Sequence, residues 1–183
     1  MRNWYVITGG PSAGKTTLIE ALESCGLHVE HESARAVIDD GIEAGRTVEE
    51  IRASEAEFQG VVYEHKLARE ARLNLEELIF FDRGMQDTRA YSILFDIPIP
   101  IDMQVTMDKA QYQKVFILEP FKYEKDYART ETVEERDRLF GLLQEAYGRS
   151  GVPIEIIPAF PTKEERIAYF LDYLRNEEGI SIP

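Results

Sequence analysis

Gly9, Gly14, Lys15 and Thr16 stand in the order G-x-x-x-x-G-K-T within "VITGGPSAGKTT", Val6 to Thr17. Glycines let backbone N–H groups turn inward around an anion with no Cβ in the way. A helix that starts at the second glycine adds the positive end of its dipole. Lys15 supplies a full charge near the terminal phosphates of a polyphosphate, and Thr16 is placed to offer its hydroxyl to Mg²⁺. The stretch Gly9, Gly10, Pro11, Ser12, Ala13, Gly14, Lys15, Thr16 and Thr17 therefore reads as a P-loop that holds a nucleotide polyphosphate. A glycine-proline turn with a chance lysine is the alternative. It would not need the strand before and the amphipathic helix after that this chain supplies.

Four further stretches could work with that cradle. In "FFDRG", Asp82 ends a buried apolar run, and on a parallel sheet that exit lies beside the P-loop. There Asp82 can bind Mg²⁺ through water or accept a proton, and Arg83 can face a transferring phosphoryl group; an ordinary strand-end turn has the same letters. In "EHESAR", Glu32 and Arg35 suit a base and an anchoring cation for a phosphate acceptor, or an i,i+3 pair at a helix start. In "KDYARTETVEERDR", Arg129 reads as a lid arginine that neutralises phosphates on closure, while Arg136 and Arg138 have glutamates at hand for surface pairs. Gln59, beside Phe58, points off an apolar stripe and could read a base or amide, or simply face solvent. His28, His31 and His65 lack a closed ligand set and read as solvated or strand-face side chains.

These groups need a frame. "WYVIT" (Trp4–Thr8) is a strand, and Leu18, Ala21, Leu22 and Cys25 recur at helical spacing up to Gly26. "LHVEHE" (Leu27–Glu32) alternates as a second strand does, and "SARAVIDDGIEAG" predicts a short helix that runs out near Gly41. From Thr47 to about Leu75, Ile51, Phe58, Val61, Val62, Ala68 and Leu75 predict one stripe on one long helix. "LIFFD" is a strand covered on both faces. A helix at "QDTRAYSILF", an irregular stretch at "DIPIPID", and strands at "KVFILE" and "PIEIIP" follow. Thr132 with Glu135, and Thr162 with Glu165, have capping-box spacing ahead of two late helices. Strands alternating with helices imply an α/β fold with parallel pairing and right-handed crossovers.

The 183 residues, with 44% apolar, suit a single domain over 1–183. With 34 acidic against 21 basic side chains the formal charge is −13, a field that repels nucleic acid. A small phosphorylated ligand is still compatible if the basic groups gather in one cleft. No apolar run nears the ~20 residues of a membrane span, and no basic and apolar leader opens the chain, so the expectation is a cytoplasmic protein with no membrane or nucleic-acid partner. The lone Cys25 reads as a small buried hydrophobe on the first helix.

Taken together, "GGPSAGKTT", "EHESAR", "DRGMQDTRAY" and "DYARTE" resemble the AAA-type ATPase/kinase domain in the ribosylnicotinamide kinase part of bacterial NAD-biosynthesis regulators. The resemblance runs from about Trp4 to Leu174. "DRG" followed by D-x-x-A-Y, Asp87 to Tyr91, is its more specific part. Likeness to small P-loop nucleoside and nucleotide kinases is looser. The resemblance implies a three-layer α/β/α P-loop NTPase fold with a five-stranded parallel sheet ordered 2-3-1-4-5. It also implies ATP and Mg²⁺ at Gly9–Thr17, an acidic strand-end residue at Asp82, and Arg129 on a lid at 119–131. Glu32 and Phe58-Gln59 echo a glutamate and a phenylalanine-glutamine pair of deoxynucleoside kinases, whose strand-end signature differs from "DRG". No adenylyltransferase region accompanies these motifs, so that second activity is not implied.

The function expected is a kinase that passes the ATP γ-phosphoryl group to a hydroxyl of a nucleoside-like acceptor. A regulatory switch that binds ATP or GTP, hydrolyses slowly and acts through a protein partner is the alternative. An assembly ATPase would need an arginine finger across subunits and a second helical domain. The nearest match to a guanine-reading N/T-K-x-D motif, "TKEE" at Thr162–Glu165, is already explained by capping. The expected partners are a nucleotide and a small-molecule acceptor, with the acceptor's identity and homo-oligomerisation left open.

Overall fold

The computed structural model describes residues 2–11, 13–121 and 133–182, without the side chain of Val133. Ser12, Arg129, Thr132 and all of the expected lid beyond Phe121 lie outside the described residues.

Chain order is β1 (Trp4–Thr8), α1 (Lys15–Ser24), β2 (His28–Glu30), α2 (Ser33–Glu43), α3 (Val48–Ile51), α4 (Glu55–Glu70), β3 (Ile79–Asp82), α5 (Met85–Leu94), α6 (Ile101–Lys109), β4 (Lys114–Leu118), α7 (Val133–Arg149), β5 (Ile154–Ile157) and α8 (Lys163–Asn176). The sheet has the order β2-β3-β1-β4-β5, and every pairing is parallel. This is the topology that the resemblance implied. β1 lies at its centre and is buried over its whole length.

Alternation along the strands builds the layers. Trp4, Val6, Ile79, Phe81, Val115 and Ile117 face one side, where they meet Tyr63 of α4, Met85 of α5, Met107 of α6, and Leu143 and Tyr147 of α7. Tyr5, Ile7, Phe80, Phe116 and Leu118 face the other, against Leu18 and Leu22 of α1 and Phe170 and Leu174 of α8. Phe116 meets Phe170 edge-on with centroids 4.8 Å apart, a favourable aromatic geometry. The result is a helical layer on each face of the sheet.

The structure corrects several sequence expectations. The single long helix from Thr47 is two, because two N-caps lie in that window. Thr47 forms a full capping box with Glu50 at α3, and the Ser54 hydroxyl accepts from the Glu57 N–H to start α4. The buried face of α4 is Phe58, Gln59, Val62, Tyr63 and Lys66. Val61, Ala68 and Leu75, expected on the stripe, are exposed. α2 ends at Glu43, two residues past Gly41 and close to where it was expected to run out, and Ile51 of α3 packs where a Cβ on Gly41 would lie, at 2.5 Å. β2 is shorter than Leu27–Glu32, and Cys25 is the partly exposed C-cap of α1 rather than a buried hydrophobe. α6, with one buried residue, follows the irregular stretch and shows too weak a stripe to be read. Thr162 caps α8 by accepting from the Glu165 N–H at 3.2 Å. No helix among the described residues is long and apolar enough to cross a membrane.

Candidate active site

The turn after β1 is glycine-dependent at two points. Gly9 has φ +153° and Gly14 has φ +79°, where side chains are strained. A Cβ on Gly9 would lie 3.0 Å from the Leu118 carbonyl oxygen, and one on Gly14 would lie 2.7 Å from the Phe121 ring. Gly14 is the N-cap of α1, and no carboxylate occupies the helix's first turn. Its free N–H groups and dipole therefore serve whatever the turn holds. Lys15 Nζ donates to the carbonyls of Gly9 at 3.0 Å and Gly10 at 3.1 Å. Burial, then the nearby Arg83 cation, brings its pKa down to about 8, against the pull of Asp82, Glu32 and Asp87. Thr16 is exposed and Thr17 half-buried at the helix start.

A buried arginine from the far end of the chain braces this turn. Arg166 of α8 donates to the carbonyls of Ala13 at 2.6 Å, Glu119 at 2.8 Å and Pro158 at 2.9 Å. Its guanidinium lies 4.0 Å from the Phe121 ring centroid.

The exit of β3 brings the second set of groups. Ile7 pairs with Asp82 in the sheet, which sets that carboxylate beside the P-loop. Burial raises the Asp82 pKa while Arg83 and Lys15 oppose the rise, and its Oδ1 is buried with no hydrogen-bond partner. An unpartnered carboxylate oxygen at the strand end beside the P-loop is a hard donor that fits Mg²⁺, directly or through water. Arg83 adopts φ +70°, a left-handed conformation that costs a non-glycine residue about 1–2 kcal/mol. Its Nε donates to Glu32 Oε1 at 2.6 Å and its Nη1 to the Gly9 carbonyl at 3.3 Å, with the guanidinium 5.0 Å from the Tyr91 ring centroid.

Asp87, in the first turn of α5, ties these strands together. It accepts from Thr8 Oγ1 at 2.5 Å, Tyr147 Oη at 2.6 Å, the Gly84 N–H at 3.0 Å and Arg83 Nη1 at 3.4 Å. Lys66 of α4 reaches the same turn, donating to the Gly84 carbonyl at 2.7 Å and Thr88 Oγ1 at 3.2 Å. Burial lowers the Lys66 pKa to about 8, with Asp87 opposing the shift and Arg83 and Arg69 reinforcing it.

A cavity of about 660 Å³ opens next to these groups, within the usual size range for small-molecule sites. α2, α4, α5 and α7 supply its walls, and Pro11 of the P-loop reaches its edge. Of the residues singled out from sequence, Glu32, Arg35, Gln59 and Arg83 line it, as do Arg136 and Arg138. Lys15 and Asp82 sit at the P-loop rather than on the cavity wall. Glu32 pairs with Arg83 rather than Arg35. Burial pushes its pKa up, but Arg83 and Lys15 outweigh that, and the carboxyl stays below its ordinary value. Gln59 is buried and donates to Glu55 Oε1 at 2.9 Å. Thr8, Lys66, Asp87, Thr88 and Tyr147 were not picked out as site residues. Lys66 could have been found, because it continues the Phe58, Val62 spacing along one helix face; Tyr147, from a distant helix, carries no local signal.

Two of the three histidines are held by carboxylates, and the Nδ1 of the third, His65, is buried without a hydrogen-bond partner among the described residues. His28 meets Glu77 at 2.6 Å and Glu30 at 3.2 Å, and His31 meets Glu23 at 2.8 Å. No group of three or more metal-binding side chains occurs among the described residues.

The fold is similar to that of NadR protein in complex with NAD and AMP-PNP, with a TM-score of 0.69 and 17% identity over 98% of this chain and 50% of that one. NadR in complex with NR gives a TM-score of 0.70 at 17% identity, over 98% and 52%. The chain thus spans about half the length of those proteins. Deoxyadenosine kinase from M. mycoides with bound dCTP gives 0.63 at 14% identity, over 94% of this chain and 98% of that one. At such identities the likeness is one of fold. No curated protein sequence matches the chain. A family model described as AAA domain matches residues 4–166, from the first residue of β1 through the P-loop and the Asp82–Asp87 turn to the Arg166 brace, and the chain belongs to that family.

Proposed function

We propose that this protein is an ATP-dependent kinase whose acceptor is a nucleoside-like small molecule. One observation carries the reading: Arg83 touches both halves of the site. Its Nη1 meets the Gly9 carbonyl of the P-loop, and its Nε meets Glu32 on the wall of the cavity. A guanidinium there stands between a polyphosphate cradle and a pocket of ring-bearing-ligand size, where a phosphoryl group in transit would pass. Likeness of fold to a deoxyadenosine kinase, and to NadR bound to an ATP analogue, supports the same reading.

In this reading the P-loop N–H groups and Lys15 hold the phosphates of ATP, and Thr16 and Asp82 hold Mg²⁺. The metal, when bound, neutralises phosphate charge. Arg83 stabilises the phosphoryl group as it moves. Glu32, kept ionised by Arg83, takes the proton of the acceptor hydroxyl as that oxygen bonds to the γ-phosphorus and ADP leaves. Catalysis is mainly positioning and charge stabilisation.

The test is ADP release by purified protein with ATP and Mg²⁺, screened against a library of nucleosides and vitamins. Acceptor-dependent release, with a phosphorylated product of matching mass, is the expected result. Slow hydrolysis that no acceptor accelerates would overturn the kinase reading in favour of a nucleotide-dependent switch.

A further inference from the structure

The charge of the cavity runs against that of the chain. The protein carries −13, yet six cationic side chains line the cavity against four carboxylates. Four of the six have partners. Lys66 donates to Gly84 and Thr88, and Arg83 to Glu32 and Asp87. Arg52 pairs with Glu55 and Arg136 with Asp137, each at 2.9 Å. Arg35 on α2 and Arg138 on α7 are exposed to solvent and line the cavity without a hydrogen bond or ion pair to the described residues. Asp39, one turn along α2 from Arg35, does not pair with it although it lines the same cavity. Acidic side chains outnumber basic ones by 34 to 21 in this chain. Two unpaired arginines from different helices, on the walls of one cavity, run against that surplus.

The rest of the lining is apolar and aromatic. Phe58, Val62 and Tyr91 offer flat and branched surface suited to a planar ring. Ring and anion are thus provided for in the same space.

We propose that the acceptor carries an anionic group, a phosphate or a carboxylate, held by Arg35 and Arg138 while its ring lies against Phe58, Val62 and Tyr91. This rests on the kinase reading of the cavity and narrows its acceptor class. The anion is a handle for recognition, and the hydroxyl that receives the phosphoryl group lies at Glu32 and Arg83. Guanidinium forks match either oxyanion and bind it through charge-assisted hydrogen bonds.

Three matched probes test it: a nucleoside, its 5′-monophosphate and its 5′-carboxylate. Each is titrated calorimetrically into the intact protein and assayed for ADP release. The anionic members are expected to bind at least about 10-fold more tightly than the neutral parent, by a margin that shrinks as salt rises. Comparing phosphate with carboxylate shows which oxyanion the pair prefers. Arg35→Gln and Arg138→Gln should each reduce the anionic-to-neutral preference about 10-fold, and Arg→Lys at either position should restore part of it. A neutral nucleoside that binds as tightly as both anions would overturn the proposal, and so would variants that weaken neutral and anionic probes equally. If that same neutral nucleoside drives ADP release, the kinase reading stands without the handle. Anion binding that needs Arg35 and Arg138 but never yields ADP would uphold the pocket and overturn the kinase reading.

Discussion

Replacing Asp87 by alanine should be far more damaging than removing any one of its partners. Asp87 is 1% exposed and receives four donors, from β1, α7, its own helix start and Arg83. Tyr147→Phe removes one of them, yet leaves nothing orphaned, because the Gly84 N–H still meets Asp87 Oδ2 at 3.0 Å. Its cost should sit at the low end of a hydrogen bond to a charged group, about 1.5 kcal/mol. Asp87→Ala strands the Thr8 and Tyr147 hydroxyls in a buried site. It also leaves Arg83 with Glu32 as its one remaining ion-pair partner among the described residues. Breaking a buried charged network in this way costs about 3–5 kcal/mol. Urea unfolding of both variants, at matched slope, reads the difference directly. Turnover should fall in Asp87→Ala beyond what the fraction folded explains, because the left-handed Arg83 loses its lock. If Asp87→Ala proved no more costly than Tyr147→Phe, the carboxylate would not be the hub the geometry describes.

Lys15→Ala should keep the fold and weaken ATP binding about 10- to 100-fold, since it removes one charge-assisted contact to phosphate; nucleotide titration of the folded variant checks this. Asp82→Asn should lower turnover by about 10²-fold or more with a much smaller change in ATP affinity, and wild-type turnover at saturating Mg²⁺ would reduce Asp82 to a turn residue. Lys15 and Lys66 each titrate near 8 when folded, below the ordinary 10.5, so between about pH 8 and 10 the unfolded chain binds more protons than the folded one. Stability should therefore rise with pH across that window, by up to about 1.4 kcal/mol per pH unit per lysine. From about pH 10, where unfolded tyrosine ionises, the raised Tyr112 and Tyr147 make stability fall with further rise in pH; a flatter urea-midpoint profile in Lys66→Met checks the lysine part.

Local signals carried the fold further than the site. The strands and the P-loop were legible because glycines at fixed spacing, apolar runs and alternation are short-range features. Apolar spacing alone joins α3 and α4 into one helix, because it outweighs Ser54, a cap whose single hydroxyl breaks the register. α6 escaped because Met107 alone is buried on it. At the site, "DRG" pointed to Asp82 and Arg83 from sequence, but the pairing of Glu32 with Arg83 spans 51 residues and depends on β2 and β3 lying side by side. Tyr147 reaches Asp87 across 60 residues. Such contacts follow from topology, which single letters do not show.

The Arg166 brace has a consequence for how the molecule is made. Ribosomes deliver the chain from its first residue onward, and domains form as their parts emerge. β1 and the P-loop thus emerge before the partners of β1, which are β3 and β4, at residues 79–82 and 114–118. The guanidinium that holds the Ala13 carbonyl arrives 153 residues after it. A nascent chain released before residue 166 would carry every letter of the phosphate-binding motif and lack the contact that shapes its back wall. Whatever that turn binds, its back wall is complete only once synthesis has passed residue 166.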